Sequence, residues 1–330
     1  LLQGGRAFGR QSLIGLQGAW GQVTVGRQYT VAHEMAASYE SMGISNNGLL
    51  GFQSGYTNLR QDNLLRYAGS FGALSVIAGW TFGEQPGSVQ AGVTKALALA
   101  YTRGPLRVGG TVQRTNHVSN YLGTAVAQSQ EDFYSLGGSY NIQQSKLFFS
   151  FNRHRLNQAG YANNAVTVGV NMPISERMTF IGTAMVDRLQ RAQGSGKRMV
   201  AGGVWEYALS KNTAVYGELD YTRLSGEWMN VATQAGFDVV SQSYYYEPKD
   251  VTSRGFEMEV TGRVGSNTHV TAGFTRLNLT GPDGKDIYQW VPRSTFSLRG
   301  DTRLPMLPKL KLGAGLRWQS DIFKAQGARQ

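Results

Sequence analysis

The chain has 330 residues, 41% of them hydrophobic and 16% charged, with a formal net charge of +11 at pH 7. The mean hydropathy is −0.29, and no run of eighteen apolar residues occurs, which excludes a helical membrane span. The absence of cysteine excludes a thiolate site, and the four histidines lack metal-ligand or triad spacing. We therefore expect no catalytic residue, no metal and no cofactor.

About sixteen β-strands are predicted along the whole chain, because apolar and polar residues alternate in one segment after another. In residues 309–319 the apolar Leu310, Leu312 and Leu316 share one face, and charged or small residues occupy the other. Residues 214–221 and 256–263 divide in the same way. The predicted spans are 6–17, 21–30, 63–70, 73–83, 92–103, 106–115, 131–141, 145–155, 164–173, 177–189, 197–208, 212–224, 252–264, 267–279, 293–304 and 309–321.

The predicted connections alternate between two length classes, which is typical of a transmembrane antiparallel β-barrel. Very short turns, expected on the periplasmic side, alternate with long loops, expected on the extracellular side, at 31–62, 84–91, 116–130, 156–163, 190–196, 225–251 and 280–292. A soluble β-sandwich would also alternate along its strands, but its turns would not be sorted by length. Loop 31–62 is the longest and contains apolar residues, so a functional role is favoured over disorder.

The net charge and the length of the chain indicate which partners and how many domains to expect. The basic residues are dispersed among the strands, with no basic run and interleaved aromatics, so nucleic acid is not an expected partner. A positively lined pore that attracts anions explains the excess charge better. No linker or low-complexity segment divides the chain, so residues 1–330 are predicted to form a single barrel rather than two soluble domains.

Several segments resemble the trimeric general porins of Gram-negative bacteria. Residues 5–11 read Gly-Arg-Ala-Phe-Gly-Arg-Gln, residues 21–29 read Gly-Gln-Val-Thr-Val-Gly-Arg-Gln-Tyr, and residues 63–67 read Asn-Leu-Leu-Arg-Tyr. The likeness covers residues 1–228. It implies an outer-membrane location, passive diffusion of small hydrophilic solutes, a homotrimer surrounded by outer-membrane lipid and lipopolysaccharide, and a loop 31–62 that folds into the lumen.

From about residue 235 the resemblance changes to the late barrel strands of TonB-dependent siderophore receptors. Residues 251–259 and 312–320 carry it. The barrel would then join porin-like strands in 1–230 to receptor-like strands in 231–330, and the alternative function is a fragment of a siderophore receptor barrel. The porin strands that usually precede segment 5–11 and the usual terminal phenylalanine are absent, so we expect the strand near Arg6 to pair with the strand near Leu312, or further strands to lie between them.

The candidate site residues belong to the long loop and the strands that flank it. Arginines at the ends of these strands would line the wall, and acids in the loop would face them across the aperture. Snorkelling surface arginines and a solvated acidic loop are the alternatives. By resemblance to the porin segments, Arg27 and Arg66 belong to the basic cluster on the pore wall. Arg10 and Arg60 are second candidates for the constriction, and the acids are Glu34 and Glu40 inside the loop and Asp62 at its end.

Overall fold

A computed structural model of the chain describes residues 2–3, 6–42, 57–83, 88, 90–121, 124–191, 194–226, 232–238, 243–248 and 250–323. These residues are almost all in β-strands. The one named helix, α1 (Val31–Ala37), has seven residues. Among the described residues, no helix is both long and apolar enough to cross a membrane.

Most strands belong to one large sheet. Two small antiparallel pairs lie outside it, β1 (Leu2–Gln3) with β2 (Arg6–Ala7), and β15 (Ala232–Asp238) with β16 (Ser243–Pro248). The large sheet contains β3 (Ser12–Gly18), β4 (Gly21–Tyr29), β5 (Arg60–Phe71), β6 (Leu74–Thr81), β7 (Thr94–Arg103), β8 (Leu106–Tyr121), β9 (Thr124–Ile142), β10 (Ser145–Leu156), β11 (Tyr161–Pro173), β12 (Met178–Arg191), β13 (Gly194–Ser210), β14 (Thr213–Gly226), β17 (Val251–Val264), β18 (Thr268–Thr280), β19 (Ser294–Leu304) and β20 (Leu307–Gln319).

The sixteen strands are antiparallel and lie side by side in chain order. β14 pairs directly with β17, from Thr213 opposite Gly262 to Leu224 opposite Val251, so the β15–β16 pair is an insertion at one end of the wall. This confirms the predicted sixteen-stranded all-β architecture. Within the described residues no ladder joins β3 to β20, and closure of the ring by these two strands stays a prediction.

The sheet has two chemically distinct faces. We call the face touched by α1 and residues 38–42 the inner face, and the opposite one the outer face. In β7, Ala98 and Ala100 on the inner face are 1% exposed, whereas Leu97 and Leu99 on the outer face are 43% and 44% exposed. Side chains alternate in this way because successive residues of a strand point to opposite sides. The exposed apolar band is the surface that meets lipid in a barrel.

Exposed aromatic side chains lie toward both ends of the strands, as the barrel interpretation predicts. Trp20, Phe71 and Tyr207 lie at or near the short turns, and Trp80 and Trp318 lie toward the opposite end. Such aromatic girdles mark the two membrane interfaces, where an apolar ring with a polar edge is favourable.

The structure differs from the predicted elements in three places. The span 6–17 is not one strand, because Phe8 adopts a positive φ of 57° and separates β2 from β3. The predicted loops 116–130 and 190–196 are mostly strand, since β8 and β9 continue to Tyr121 and from Thr124, and β12 and β13 also extend beyond their predicted ends. The region 225–251 contains the β15–β16 pair. Beyond the membrane both faces meet water, so alternation fades and no longer marks a strand.

Candidate functional site

The chain turns onto the inner face directly after β4. Thr30 caps α1: its side chain accepts a hydrogen bond from the backbone N–H of His33 at 3.1 Å. Val31, Ala32 and Met35 of the helix are at most 2% exposed. Val31 and Met35 pack with Tyr39 against small residues of β7, which anchors the segment by burial of apolar surface.

Small residues of the wall follow the path of this segment. A Cβ added to Gly137 would lie 2.6 Å from the Tyr39 ring, and one added to Gly202 would lie 3.3 Å from the methyl of Met42. The Ser41 hydroxyl donates to the carbonyl of Gly182 at 2.7 Å. The segment thus crosses the inner face from β6 to β13 along what we call the small-residue track: Gly79, Ala98, Ala100, Gly109, Gly137, Gly169 and Gly202.

The far end of the loop is fixed by buried hydrogen bonds. Thr57 is fully buried, and its carbonyl accepts from the hydroxyl of Thr30 at 2.7 Å and from the amide of Gln113 at 3.2 Å. The amide of Asn58 donates to Glu131 at 2.6 Å, and Glu131 also contacts the ring of His154 at 2.8 Å. Both ends of the segment are therefore attached to the wall, although residues 43–56 lie outside the described residues.

Two of the predicted residues, one on the wall and one on the loop, are in direct contact. Nη2 of Arg66 on β5 lies 2.8 Å from both carboxylate oxygens of Glu34 on α1. The side chain of Arg66 is 11% exposed and that of Glu34 is 43% exposed, so the pair borders solvent on the Glu34 side. A charge pair that borders solvent sets a fixed local field at that point of the inner face.

The other predicted residues form two further groups. Arg27 lies on the outer face by alternation with Val25, where Nη1 contacts Asp62 at 2.8 Å and Nε donates to the carbonyl of Gly9. Arg60 donates to the Tyr29 hydroxyl at 2.9 Å, and its guanidinium lies 4.6 Å from the ring centroid; the positive charge of Arg10 also lies near this hydroxyl. The structure brings neither group into contact with the Arg66–Glu34 pair.

Two buried groups of the segment have altered acidity. Tyr29 stacks on His33 with ring centroids 5.1 Å apart. Burial, together with the charge of nearby Arg60, lowers the pKa of His33 to about 4, so this ring is neutral at pH 7. Burial raises the pKa of the Tyr39 hydroxyl. Glu40, the remaining predicted residue, is 5% exposed and lies in the turn after α1.

The inner face also carries charges that were not among the predicted site residues. Glu218 on β14 lies directly opposite Glu257 on β17, and Tyr216 donates to Glu257 at 3.1 Å. Arg107 and Lys146 lie on the inner faces of β8 and β10 toward the short turns. Alternation alone predicts the face on which each of these side chains lies, but only the tertiary structure shows which inner-face residues the loop covers. No group of three metal-ligating side chains is found among the described residues.

Comparison with known proteins agrees with this geometry. The sequence profile of a family described as Gram-negative porin matches residues 3–227. An outer membrane porin protein of Bordetella pertussis is 25% identical over 265 residues, which cover 67% of this chain and 68% of that protein. The solved anion-selective porin from Comamonas acidovorans has a TM-score of 0.54 at 21% identity, with 72% of each chain covered, which shows a shared fold.

A second likeness is shorter. The ferripyoverdine receptor of Pseudomonas aeruginosa is 31% identical over 83 residues, which are 25% of this chain and 10% of that receptor. This agrees with the receptor-like character seen in the sequence. The shared part is a small fraction of the receptor, so receptor activity does not follow from it.

Proposed function

The chain belongs to the Gram-negative porin family and is an outer-membrane diffusion channel for small hydrophilic solutes, and we propose that it prefers anions. We further propose that the Arg66–Glu34 pair lies at the aperture and sets this preference. The observation that carries the proposal is the contact between one guanidinium nitrogen of a wall arginine and both oxygens of a loop carboxylate beside solvent.

The two groups are in contact, so a solute passes beside the pair and not between its members. Groups of opposite sign on the solute are attracted to the two members of the pair, anionic groups to Arg66 and cationic groups to Glu34. Arg107 and Lys146 add positive charge on the inner face toward the short turns, where no carboxylate partner is described for either side chain. A solute that has passed the pair therefore meets a positive surface, which supports anion preference over cation preference.

Reversal potentials across planar bilayers test the proposal. Arg66→Gln should lower the anion preference, and Glu34→Gln should raise it. Lys285→Gln is a matched control, because that side chain is 84% exposed in a connection outside the strands. The effects should shrink as salt rises, since the Debye length falls from about 10 Å at 0.1 M to about 3 Å at 1 M. Equal shifts in all three variants, or cation preference in the unmodified protein at low salt, would show that the pair does not set selectivity.

We propose that the receptor-like strands form part of the barrel wall. In support, β17 continues the same ladder as β14, with Leu219 opposite Phe256 on the outer face. The alternative, a siderophore receptor barrel, predicts saturable binding of a ferric siderophore and a nearly closed channel. Tryptophan fluorescence titration with ferripyoverdine, beside conductance in the same preparation, separates the two. Saturable binding without conductance would support the receptor instead.

Trimerisation and the absence of catalysis belong to the same proposal. The resemblance to trimeric porins supports an assembly of three chains, each of 36.0 kDa. Light scattering of the protein in detergent, corrected for bound detergent, should give three times that mass. A stable monomer would contradict the assembly while leaving the channel function untouched.

A further inference from the structure

Five carboxylates form a patch on the inner face of β13, β14 and β17. Glu218 on β14 lies directly opposite Glu257 on β17, and residues that pair in this way point to the same face. Because Glu257 alternates with Met258, which is 43% exposed on the outer face, both carboxylates point to the inner face. The neighbouring rows add three more acids on the same strands. We call this set the acidic patch: Glu206, Glu218, Asp220, Glu257 and Glu259.

A patch of cations lies on the inner face of β17 to β20. Arg299 alternates with Leu298, which is 39% exposed on the outer face, and Arg317 alternates with outer-face residues of β20 in the same way. Asp301 contacts Lys311 of this patch at 2.8 Å. Within the part of the chain that the structure describes, none of its four arginines has a carboxylate in ion-pair contact. We call this set the cationic patch: Arg263, Arg299, Arg303, Lys311 and Arg317.

An uncharged strip of wall separates the two patches. From Glu259 the row continues through Gly273 on β18 and Ser297 on β19 to Arg317 on β20. Neighbouring strands are about 4.8 Å apart, so the backbones of Glu259 and Arg317 are about 14 Å apart, and that of Arg299, two strands and one row away, is about 12 Å from Glu259. The Glu259 carboxylate extends over this strip, because a Cβ added to Gly273 would lie 3.9 Å from its Oε2. The patches therefore border one space without contact between Glu259 and either arginine.

The distance between the patches selects among solutes. A small ion of either sign is attracted by one patch and repelled by the other, whereas a solute with both charges is attracted by both. In a single amino acid the ammonium and the carboxylate are too close together to reach both patches. An extended chain spans about 3.3–3.6 Å per residue, so the terminal charges of a tripeptide are separated by about 10 Å. Because the glutamate and arginine side chains extend from the backbone, this length is enough to bridge the strip.

We propose that the channel favours linear zwitterions whose charges lie about 10 Å apart, as in a short peptide, with the ammonium at the acidic patch and the carboxylate at the cationic patch. The inference rests on the proposed diffusion channel and is independent of its ion preference. The Arg66–Glu34 pair does not select in this way, because its two members are in contact. Exposed ion contacts are individually weak, so the solute is concentrated at the wall and still released, as passage requires.

Osmotic swelling of proteoliposomes measures the entry of uncharged and zwitterionic solutes alike. Triglycine is compared with N-acetylglycylglycinamide, which has a similar size and no charge, and glycine is compared with acetamide. The acidic-patch variant combines Glu257→Gln with Glu259→Gln, and the cationic-patch variant combines Arg299→Gln with Arg317→Gln. A matched control, Arg223→Gln with Arg254→Gln, removes two charges from the outer face of β14 and β17, where Arg254 lies opposite Tyr221. Entry of the uncharged solutes reports the folding of each variant, and the single changes Glu259→Gln and Arg317→Gln replace a pair that lowers it.

In the unmodified protein and the control, triglycine should enter roughly threefold faster than its uncharged counterpart, and glycine should show no such excess over acetamide. Each patch variant should lose the excess. Equal entry of triglycine and its counterpart in the unmodified protein would overturn the inference while leaving the channel function intact, whereas entry of neither solute would overturn both. Loss of the excess in the cationic-patch variant alone would show attraction of the carboxylate without recognition of a zwitterion, and would also overturn it.

Discussion

The position of Tyr39 against the wall makes Gly137→Ala the sharpest perturbation of the channel. A Cβ at residue 137 would lie 2.6 Å from Cδ2 and 2.8 Å from Cγ of the fully buried Tyr39 ring. Ordinary van der Waals contact begins at 3.4 Å, so the ring must move by 0.8 Å or the strand must shift. Overpacking of this kind costs about 1–3 kcal/mol. Because the wall is held by its hydrogen-bond ladders, we expect the loop to move toward the lumen.

Single-channel conductance in planar bilayers measures the result, and the midpoint of urea unfolding measures the energetic cost. Gly137→Ala should reduce both. Gly202→Ala should have a smaller effect, because its Cβ meets the flexible methyl of Met42 at 3.3 Å. Gly217→Ala should have little effect on conductance, because the added Cβ would meet only the carbonyl of Glu257, at 3.9 Å.

A second substitution separates loop displacement from general damage to the sheet. Tyr39→Leu combined with Gly137→Ala removes the clashing ring and should restore part of the lost conductance, which a double-mutant cycle reports as coupling. The reasoning is refuted if Gly137→Ala conducts like the unmodified protein, or if the Gly217→Ala control loses as much conductance.

Three further perturbations follow from buried contacts. The pKa of His33 is about 4 in the folded protein against an ordinary 6.5, so the free energy of unfolding should be at its full value above pH 6.5 and fall by about 3 kcal/mol toward pH 4. In His33→Gln the midpoint of urea unfolding should depend less on pH across this range. Arg198→Leu leaves the fully buried carboxylate of Asp187 without its 2.9 Å ion pair and should cost about 3–5 kcal/mol by the same assay, and an unchanged midpoint would contradict the contact. Asn58→Ala removes the 2.6 Å hydrogen bond to Glu131 and should ease local opening by about 1.5–3 kcal/mol, seen as faster hydrogen exchange at residues 57–59; unchanged exchange would mean that this bond does not hold the loop.

The strands could be predicted from the sequence because alternation is a local property. The segment that ends in Leu316 and Trp318 shows its two faces without any knowledge of its neighbours. The path of the loop could not be predicted from residues in this way, since it depends on distant small residues such as Gly137 and Gly202 that meet the loop only in the folded chain. Its inward direction came from the family resemblance.

The side chain positions were harder to predict than the strands. A register irregularity between Gly26 and Gln28 interrupts the pairing of β4 with β5, next to Arg27, and the predicted constriction residue lies on the outer face. Net charge also does not show on which face of the sheet a charged side chain lies. The +11 of the whole chain predicted a positive lumen, whereas Arg153 and Arg188 lie on the outer face and direct part of that charge outward. The aperture role of Arg66 and Glu34 stays a proposal, supported by their contact.

The small-residue track gives the wall a part in the choice of solutes. Wherever a glycine or alanine stands on it, the loop lies closer to the wall by the thickness of a side chain, and more of the cross-section is left for water and solute. The width of the pore then depends on wall residues that no solute contacts. A change of size selectivity could arise through substitutions on β8, β9 or β13 while every charged group at the aperture is conserved, so a comparison of channels by their pore-lining charges alone would miss it.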